Sequence, residues 1–321
     1  MKKRLFAALA ASALLIVAPA LYAQQFPSKP VRIVAPYPPG GPSDSVIRAV
    51  AERMRVTLGQ PVLIENKPGA GTAIGSDYVA ASPPDGYTLL FAGSAMTMLP
   101  AVAKVNYDPV KNFAPISGIL ELAEVLVVRS DLPVTSVKEL VDYMKKNPGK
   151  VNFANAGTGT VTYFQAEELR AFSGTDFTNV PYKGAAPALQ DLLGGRIQAT
   201  YDGMSSIGPH ISSGAVRALA VAMPRRSSAL PNVPTMAEIG YPQQEAVAWA
   251  GLLAPAGTPK EVIERLHLAV VDAVNDPGVQ TRLRGMGGEP ASSTPEALGE
   301  RVRRETEKWP RMARTLGIKP E

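Results

Sequence analysis

At two places far apart in this chain an apolar, strand-like run breaks on glycine and opens at once into a helix-like run. Val31-Arg32-Ile33-Val34 leads into Ala35-Pro36-Tyr37-Pro38-Pro39-Gly40-Gly41-Pro42-Ser43-Asp44, and Val151-Asn152-Phe153 leads into Ala154-Asn155-Ala156-Gly157-Thr158-Gly159-Thr160. Strands separated by helices predict parallel βαβ units in an open α/β sheet. The alternation continues along the chain. A helix is expected over 44–58, with Val46, Ile47, Val50, Met54 and Leu58 on one side, Ser43 as its cap and Gly59 as its end. Strands are expected at 62–64, 87–91, 125–128, 151–154, 197–201 and 216–223, and helices at 160–172 and 185–193. Two capping boxes, Ser136-Val137-Lys138-Glu139 and Thr258-Pro259-Lys260-Glu261, mark further helix starts. Residues 235–239 read as a short helix in a proline-rich connection.

The two glycine turns carry one chemistry. The first amide N–H groups of a helix have no partner within it, and glycine lets an oxyanion approach these donors at the positive end of the helix dipole. Neither segment contains Lys or Arg. An anion held there is gripped by backbone amides and hydroxyls, so hydrogen-bond geometry rather than opposite charge sets the selection. Two such mouths suggest a cleft between lobes. Two tight turns without a ligand are the alternative. A nucleotide does not fit, because Gly157-Thr158-Gly159 lacks the later glycine of G-x-G-x-x-G and no G-x-x-x-x-G-K-[ST] occurs. Asp44 reads as a first-turn acid rather than a ligand group.

Met1-Lys2-Lys3-Arg4, the apolar stretch over 5–20 and the small residues before Gln24 read as a secretory signal peptide over 1–23, with Ala18-Pro19-Ala20 as a rival cleavage site. The stretch is too short to span a bilayer comfortably. With 0 Cys there is neither a lipidation cysteine nor a disulfide framework, so an exported, soluble protein is expected. The chain has 33 Lys and Arg against 28 Asp and Glu. Without Lys2, Lys3 and Arg4 the balance is 30 against 28, and no basic stripe interleaved with aromatics remains, so no nucleic-acid partner is expected. Removing 23 of 321 residues leaves 298, near the length at which chains split into two lobes. The 2 His, His210 and His267, stand in no nucleophile or metal motif. Neither enzyme activity nor a metal or cofactor is expected; a hydrolase using His210 is the competing reading.

Several segments, taken in order and spacing, carry a family resemblance. They are Gly40-Gly41-Pro42-Ser43-Asp44, Glu65-Asn66-Lys67-Pro68-Gly69-Ala70-Gly71, Pro84-Asp85-Gly86-Tyr87-Thr88-Leu89, Tyr107-Asp108-Pro109, Ala156-Gly157-Thr158-Gly159-Thr160, Val180-Pro181-Tyr182-Lys183-Gly184 and Ala254-Pro255-Ala256-Gly257-Thr258-Pro259. The chain resembles the Bug family of periplasmic solute-binding proteins, the receptors associated with tripartite tricarboxylate transporters. The resemblance implies a two-lobed, type II flytrap α/β fold with a cleft between the lobes. One lobe would comprise 24–123 plus 247–321 and the other 124–246, in a monomer that closes on a small carboxylate and passes it to membrane permease subunits. A receptor that signals instead would use the same core. Carried over from the family, Tyr37, Gly40, Gly41 and Ser43 on one side and Asn155, Gly157, Thr158, Gly159 and Thr160 on the other hold one carboxylate. Ser94 and Ala95 make a third contact by position. Asp202 faces the far end of the ligand, where its charge would repel a second carboxylate and favour an amine or hydroxyl.

Overall fold

The computed structural model describes residues 26–157 and 160–315. The signal peptide expected over 1–23 lies outside the described residues. Strand β1 (Val31–Ala35) feeds helix α1 (Pro42–Leu58), which ends on Gly59 in the left-handed conformation. Then follow β2 (Val62–Asn66), α2 (Ala73–Ala80), β3 (Thr88–Gly93), the short α3 (Ser94–Met98) and β4 (Phe113–Leu122). Next come β5 (Glu124–Arg129), α4 (Val137–Lys146), β6 (Asn152–Asn155), α5 (Val161–Ser173), β7 (Thr178–Pro181) and α6 (Ala185–Leu193). Last are β8 (Ala199–Gly203), α7 (Met204–Ser212), β9 (Val216–Val221), β10 (Ala248–Pro255), α8 (Lys260–Asn275), α9 (Pro277–Gly285), β11 (Gly288–Pro290) and α10 (Pro295–Thr315).

Two sheets result, a six-stranded one in the order β11-β4-β10-β3-β1-β2 and a five-stranded one in the order β7-β6-β8-β5-β9. The expected parallel βαβ units are present, and antiparallel strands complete each sheet. The β1–β2, β1–β3, β6–β7 and β6–β8 pairs are parallel, whereas β10 runs antiparallel to β3 and β4, and β5 antiparallel to β8 and β9. The antiparallel members lie where the chain passes between sheets. β4 ends at Leu122 and β5 begins at Glu124; β9 ends at Val221 and the chain re-enters the first sheet with Ala248. Backbone bonds stitch these crossings together, from Met204 N–H to Ala123 O (3.1 Å), Ala222 N–H to Glu124 O (2.8 Å) and Ala246 N–H to Ala222 O (3.1 Å).

Each sheet is covered by its own core. Val46, Ile47, Val50, Met54 and Leu58 of α1 pack with Leu266, Val270 and Val274 of α8 against Ile33, Leu89 and Leu252. In the second sheet, Leu126, Val128, Phe153 and Tyr201 pack under Leu140 and Val141 of α4 and Ala166 and Leu169 of α5. A separate cluster joins the two layers: Val161 and Phe164 of α5 meet Met98, Ala101 and, on α10, Trp309 and Ala313, with the Phe164 and Trp309 rings 5.5 Å apart.

Several helix starts differ from expectation. Gly41, not Ser43, is the cap of α1, because Pro42 with its preset φ draws the first helical position back to itself. Pro259 precedes α8 as its cap, and the Thr258 hydroxyl donates to Pro255 O (2.8 Å) instead of closing a capping box. Ser136 does cap α4, accepting from Glu139 N–H at 3.1 Å. At 235–239 there is a turn rather than a helix, although Thr235 and Glu238 exchange the reciprocal bonds of a capping box. β8 is shifted two residues beyond the expected strand, so Asp202 lies within it.

Candidate functional site

The first glycine turn is fastened by its own helix. The buried Asp44 carboxylate accepts the Gly40 N–H (3.0 Å), Asn66 Nδ2 (2.8 Å) and Arg48 Nε (2.8 Å). Chiefly the Arg48 bond, with those of Asn66 and Gly40, holds its pKa down at about 2 against the cost of burial. The Gly40 amide is therefore committed, which corrects the expectation of a bare donor at that position. Gly40 itself sits at φ +79, so glycine is required to present the turn. Gly41 O accepts Ser45 N–H (3.0 Å), and Pro42 has no N–H, so the amides of Gly41, Ser43 and Asp44 are the donors of this turn with no partner among the described residues. Tyr37, three residues upstream of Gly40, packs edge-on to Phe91 with its hydroxyl over Gly93. A Cβ on Gly93 would stand 3.1 Å from that oxygen. The hydroxyl has no partner among the described residues, and burial lifts its pKa to about 12, so it remains a donor at neutral pH.

The turn after β3 is fixed to β10. Ser94 is buried, and its Oγ accepts the Trp249 N–H at 3.1 Å. Its hydroxyl oxygen thus ties the start of α3 to β10, while Ala95 beside it stays partly open to solvent.

In the second glycine turn the side chains build the loop. Asn155 is buried; its Oδ1 accepts the Gly157 N–H (2.9 Å) and its Nδ2 donates to Asn179 Oδ1 (2.7 Å). Both ends of its amide are engaged, so Asn155 shapes the turn rather than offering a free group, and the Gly157 amide is likewise occupied. Ala156 N–H donates to Thr162 Oγ1 (3.0 Å), and Thr160 caps α5 while donating its hydroxyl to Gly157 O at 2.7 Å. Thr158 and Gly159 lie outside the described residues. The amides of Val161 and Thr162 opening α5 have no partner among the described residues. In both turns the first amides of the following helix are open, while the Gly40 and Gly157 amides are bonded within the turn.

At the far end, Asp202 accepts Gly203 N–H (2.8 Å) and Ser206 Oγ (2.9 Å), and burial raises its pKa against these bonds and the nearby His210. Sequence reasoning missed its neighbour. Glu124, the register partner of Gly203, is buried with no hydrogen-bond partner for Oε2, and burial together with the Asp202 charge pushes its pKa up to about 8. The available signal was an acid opening an otherwise apolar strand, Glu124-Val125-Leu126-Val127-Val128. Ser206 donates to Asp202 rather than to the His210 ring, and the Ser213 hydroxyl reaches only the backbone carbonyl of His210. His267 Nδ1 lies 3.1 Å from Ile116 O, at the helix–sheet contact of α8. Among the described residues no group of three His, Asp or Glu could hold a metal, and no helix is long and apolar enough to cross a membrane.

Contacts connect these places. Tyr37 covers Gly93; Ser94 bonds Trp249 at the re-entry into the first sheet; Met98 and Ala101 beyond α3 meet Val161 and Phe164 at the start of α5. Glu124 begins β5 opposite Gly203, which ends β8 one residue after Asp202. The strand ends of both sheets thus gather around one region, where ligands of α/β sheets bind.

A family model described as tripartite tricarboxylate transporter family receptor matches residues 46–318. The protein BugT of Bordetella pertussis is 34% identical over 306 residues, covering 94% of each chain. A Rhodopseudomonas palustris protein solved with adipate shows 32% identity and a TM-score of 0.73 over 92% of this chain and 100% of its own. MatC from Rhodopseudomonas palustris, solved with bound malate, shows 34% identity and a TM-score of 0.67 over 89% and 99%.

Proposed function

The chain belongs to the tripartite tricarboxylate transporter receptor family, and from that membership we propose that it captures a small organic carboxylate in the periplasm and delivers it to a membrane permease. Its fold is the two-lobed, flytrap-type α/β fold of periplasmic binding proteins, with the cleft between the lobes. The lobes are 24–123 plus 247–321 and 124–246, and they hinge at the crossings next to Ala123 and Ala246. Export follows cleavage after Ala23. The observation that carries this reading is the pair of helix starts, α1 and α5, with open amides and no Lys or Arg in either turn. Ser43, the Tyr37 hydroxyl and the opening residues of α5 hold one carboxylate, and Gly41, Gly157 and Ala95 give it room. Adipate and malate, bound by the two Rhodopseudomonas palustris relatives, set the size of the expected ligand.

The magnitudes require closure. Three hydrogen bonds to a carboxylate contribute about 5 to 9 kcal/mol, whereas micromolar affinity needs about 8 net of an association cost of several. One clamp is therefore insufficient alone, and contacts made only when the lobes close must supply the rest.

A thermal-shift screen of small mono-, di- and tricarboxylates tests the reading. A ligand selective for the folded state raises the melting temperature by mass action, and small-angle scattering should record compaction with 1:1 binding. If no carboxylate shifts the melt at millimolar concentration, the reading fails. Gly157→Val should weaken the ligand found by about tenfold or more, with both sheets still folded, because an unfavourable backbone costs on the order of 1–3 kcal/mol. Gly157 has φ +129, and an added Cβ would stand 3.1 Å from Tyr182 O. Unchanged affinity in titration calorimetry would make that turn purely structural.

A further inference from the structure

Two buried polar side chains are left without partners near the crossing end of the second sheet. Glu124 is 8% exposed and its Oε2 is unbonded; Gln165 of α5 is 1% exposed and neither atom of its amide is bonded. Glu124 alternates with Leu126 and Val128, which share a core with Ala166 and Leu169, so its side chain stands on the face that α5 covers. Gln165 lies one turn from Leu169 and one from Val161, where that core meets the cluster joining the lobes. The crossover from β6 brings the first turns of α5 back over the ends of β6 and β8, and Gly203 at the end of β8 is the register partner of Glu124. Asp202, the register partner of Val125, projects from the opposite face of the sheet toward Ser206 of α7 and reaches Glu124 only by its charge.

The charges there do not balance. Asp202 on β8 acts on Glu124, while Ser206, the Gly203 amide and His210 of α7 act on Asp202. On the other side of Glu124, Val221 of β9 and Ala222 just after it bring no charge, and among the described residues no Lys or Arg faces either carboxyl. A buried carboxyl with an open oxygen is costly unless a hydrogen-bonding or cationic group meets it. Resting on the carboxylate-binding reading above, we propose that Glu124 and Gln165 form a subsite for a ligand ammonium group, so that the protein takes an amino-substituted carboxylate in preference to an unsubstituted or hydroxylated one. The amide donors of α1 and α5 then hold the ligand's carboxylate, and the Glu124 carboxyl with the Gln165 side-chain oxygen holds the ammonium group at the other end.

Titration calorimetry on the mature protein at pH 7 decides this with matched pairs: L-aspartate against succinate and L-malate, L-glutamate against glutarate, and 4-aminobutyrate against butyrate. At least one amino compound should bind about tenfold or more tighter than its partner lacking the amine, the scale of one charge-assisted hydrogen bond. Glu124→Gln should erase that preference, and Gln165→Leu, read alongside it in case the first variant folds poorly, should reduce it. Equal or tighter binding of the unaminated partner in every pair, or a preference that survives both substitutions, overturns the subsite while leaving carboxylate binding intact. Absence of binding by every compound, including the tricarboxylates, removes the carboxylate reading itself.

Discussion

Glu124→Gln raises the free energy of unfolding at pH 9 by about 4 kcal/mol and leaves it nearly unchanged at pH 4.5, since each tenfold change in proton affinity between the folded and unfolded chain corresponds to about 1.4 kcal/mol. The carboxyl is held at about 8 in the folded chain against an ordinary value of 4.5, first by burial and then by the Asp202 charge. Between those values the folded state keeps a proton that the unfolded state has released, so the wild-type protein loses stability as pH rises through that window. Glutamine matches the neutral carboxyl in size and cannot ionise, so the gap between variant and wild type opens only as the pH climbs. Asp44 works in the opposite sense. Its pKa of about 2 lies below the ordinary 3.8, and its contribution is lost only as pH falls through that lower range, outside the comparison. Urea melts at the two pH values measure the gap directly. An equal gain at both would mean that packing, not ionisation, separates the variants.

The retained cost fits the ligand subsite. A group that destabilises the empty protein at neutral and alkaline pH is one whose interactions are completed by something else, and stability is commonly given up at binding sites in this way.

Local chemistry explains what was legible in the sequence. Ser136 caps α4 and Gly59 ends α1 as read, because caps depend on a few adjacent residues and their own backbone angles. The run from Phe113 to Leu122 does not read as a strand, since Pro115 and Gly118 interrupt it. The fold accommodates both beside β10, where Leu253 pairs with Pro115 and Gly251 with Gly118 next to shifts in register. Strand direction was equally hidden, because whether β10 runs parallel or antiparallel depends on where the chain re-enters the sheet. At the site, the glycine turns were legible as turns, but the occupation of their amides was not. Asp44 reaches back four residues to Gly40, and Asn155 forward two to Gly157, bonds that exist only once the loop has its final conformation. Glu124 and Gln165 escaped notice for a related reason, since an acid and an amide become unusual only when burial strips them of water.

Trp309→Ala should cost about 3–5 kcal/mol, the range for deleting a large buried aromatic side chain. Trp309 is 3% exposed on α10, and its ring packs against Phe164 of α5, with Met98 and Ala101 beside them. Because α10 packs on the first sheet and α5 on the second, the cluster couples the stability of the two lobes as well as filling a gap. Val161, the residue that opens α5 with an unpartnered amide, sits in the same cluster, so losing the indole loosens the second turn together with the lobe contact. Two consequences should appear together. Urea unfolding should separate into two transitions, and carboxylate affinity should fall more than it does for a surface alanine substitution. The variant retains Trp249 as its one tryptophan, so fluorescence follows the first sheet while far-ultraviolet circular dichroism follows both. A double-mutant cycle with Phe164→Ala should give a coupling of about 0.5–1.5 kcal/mol, the contribution expected of an aromatic pair beyond its buried area. A loss below about 1 kcal/mol with a single coincident transition would show that the lobes are held by their backbone crossings alone, since substitutions away from packed features usually stay within about 0.5 kcal/mol.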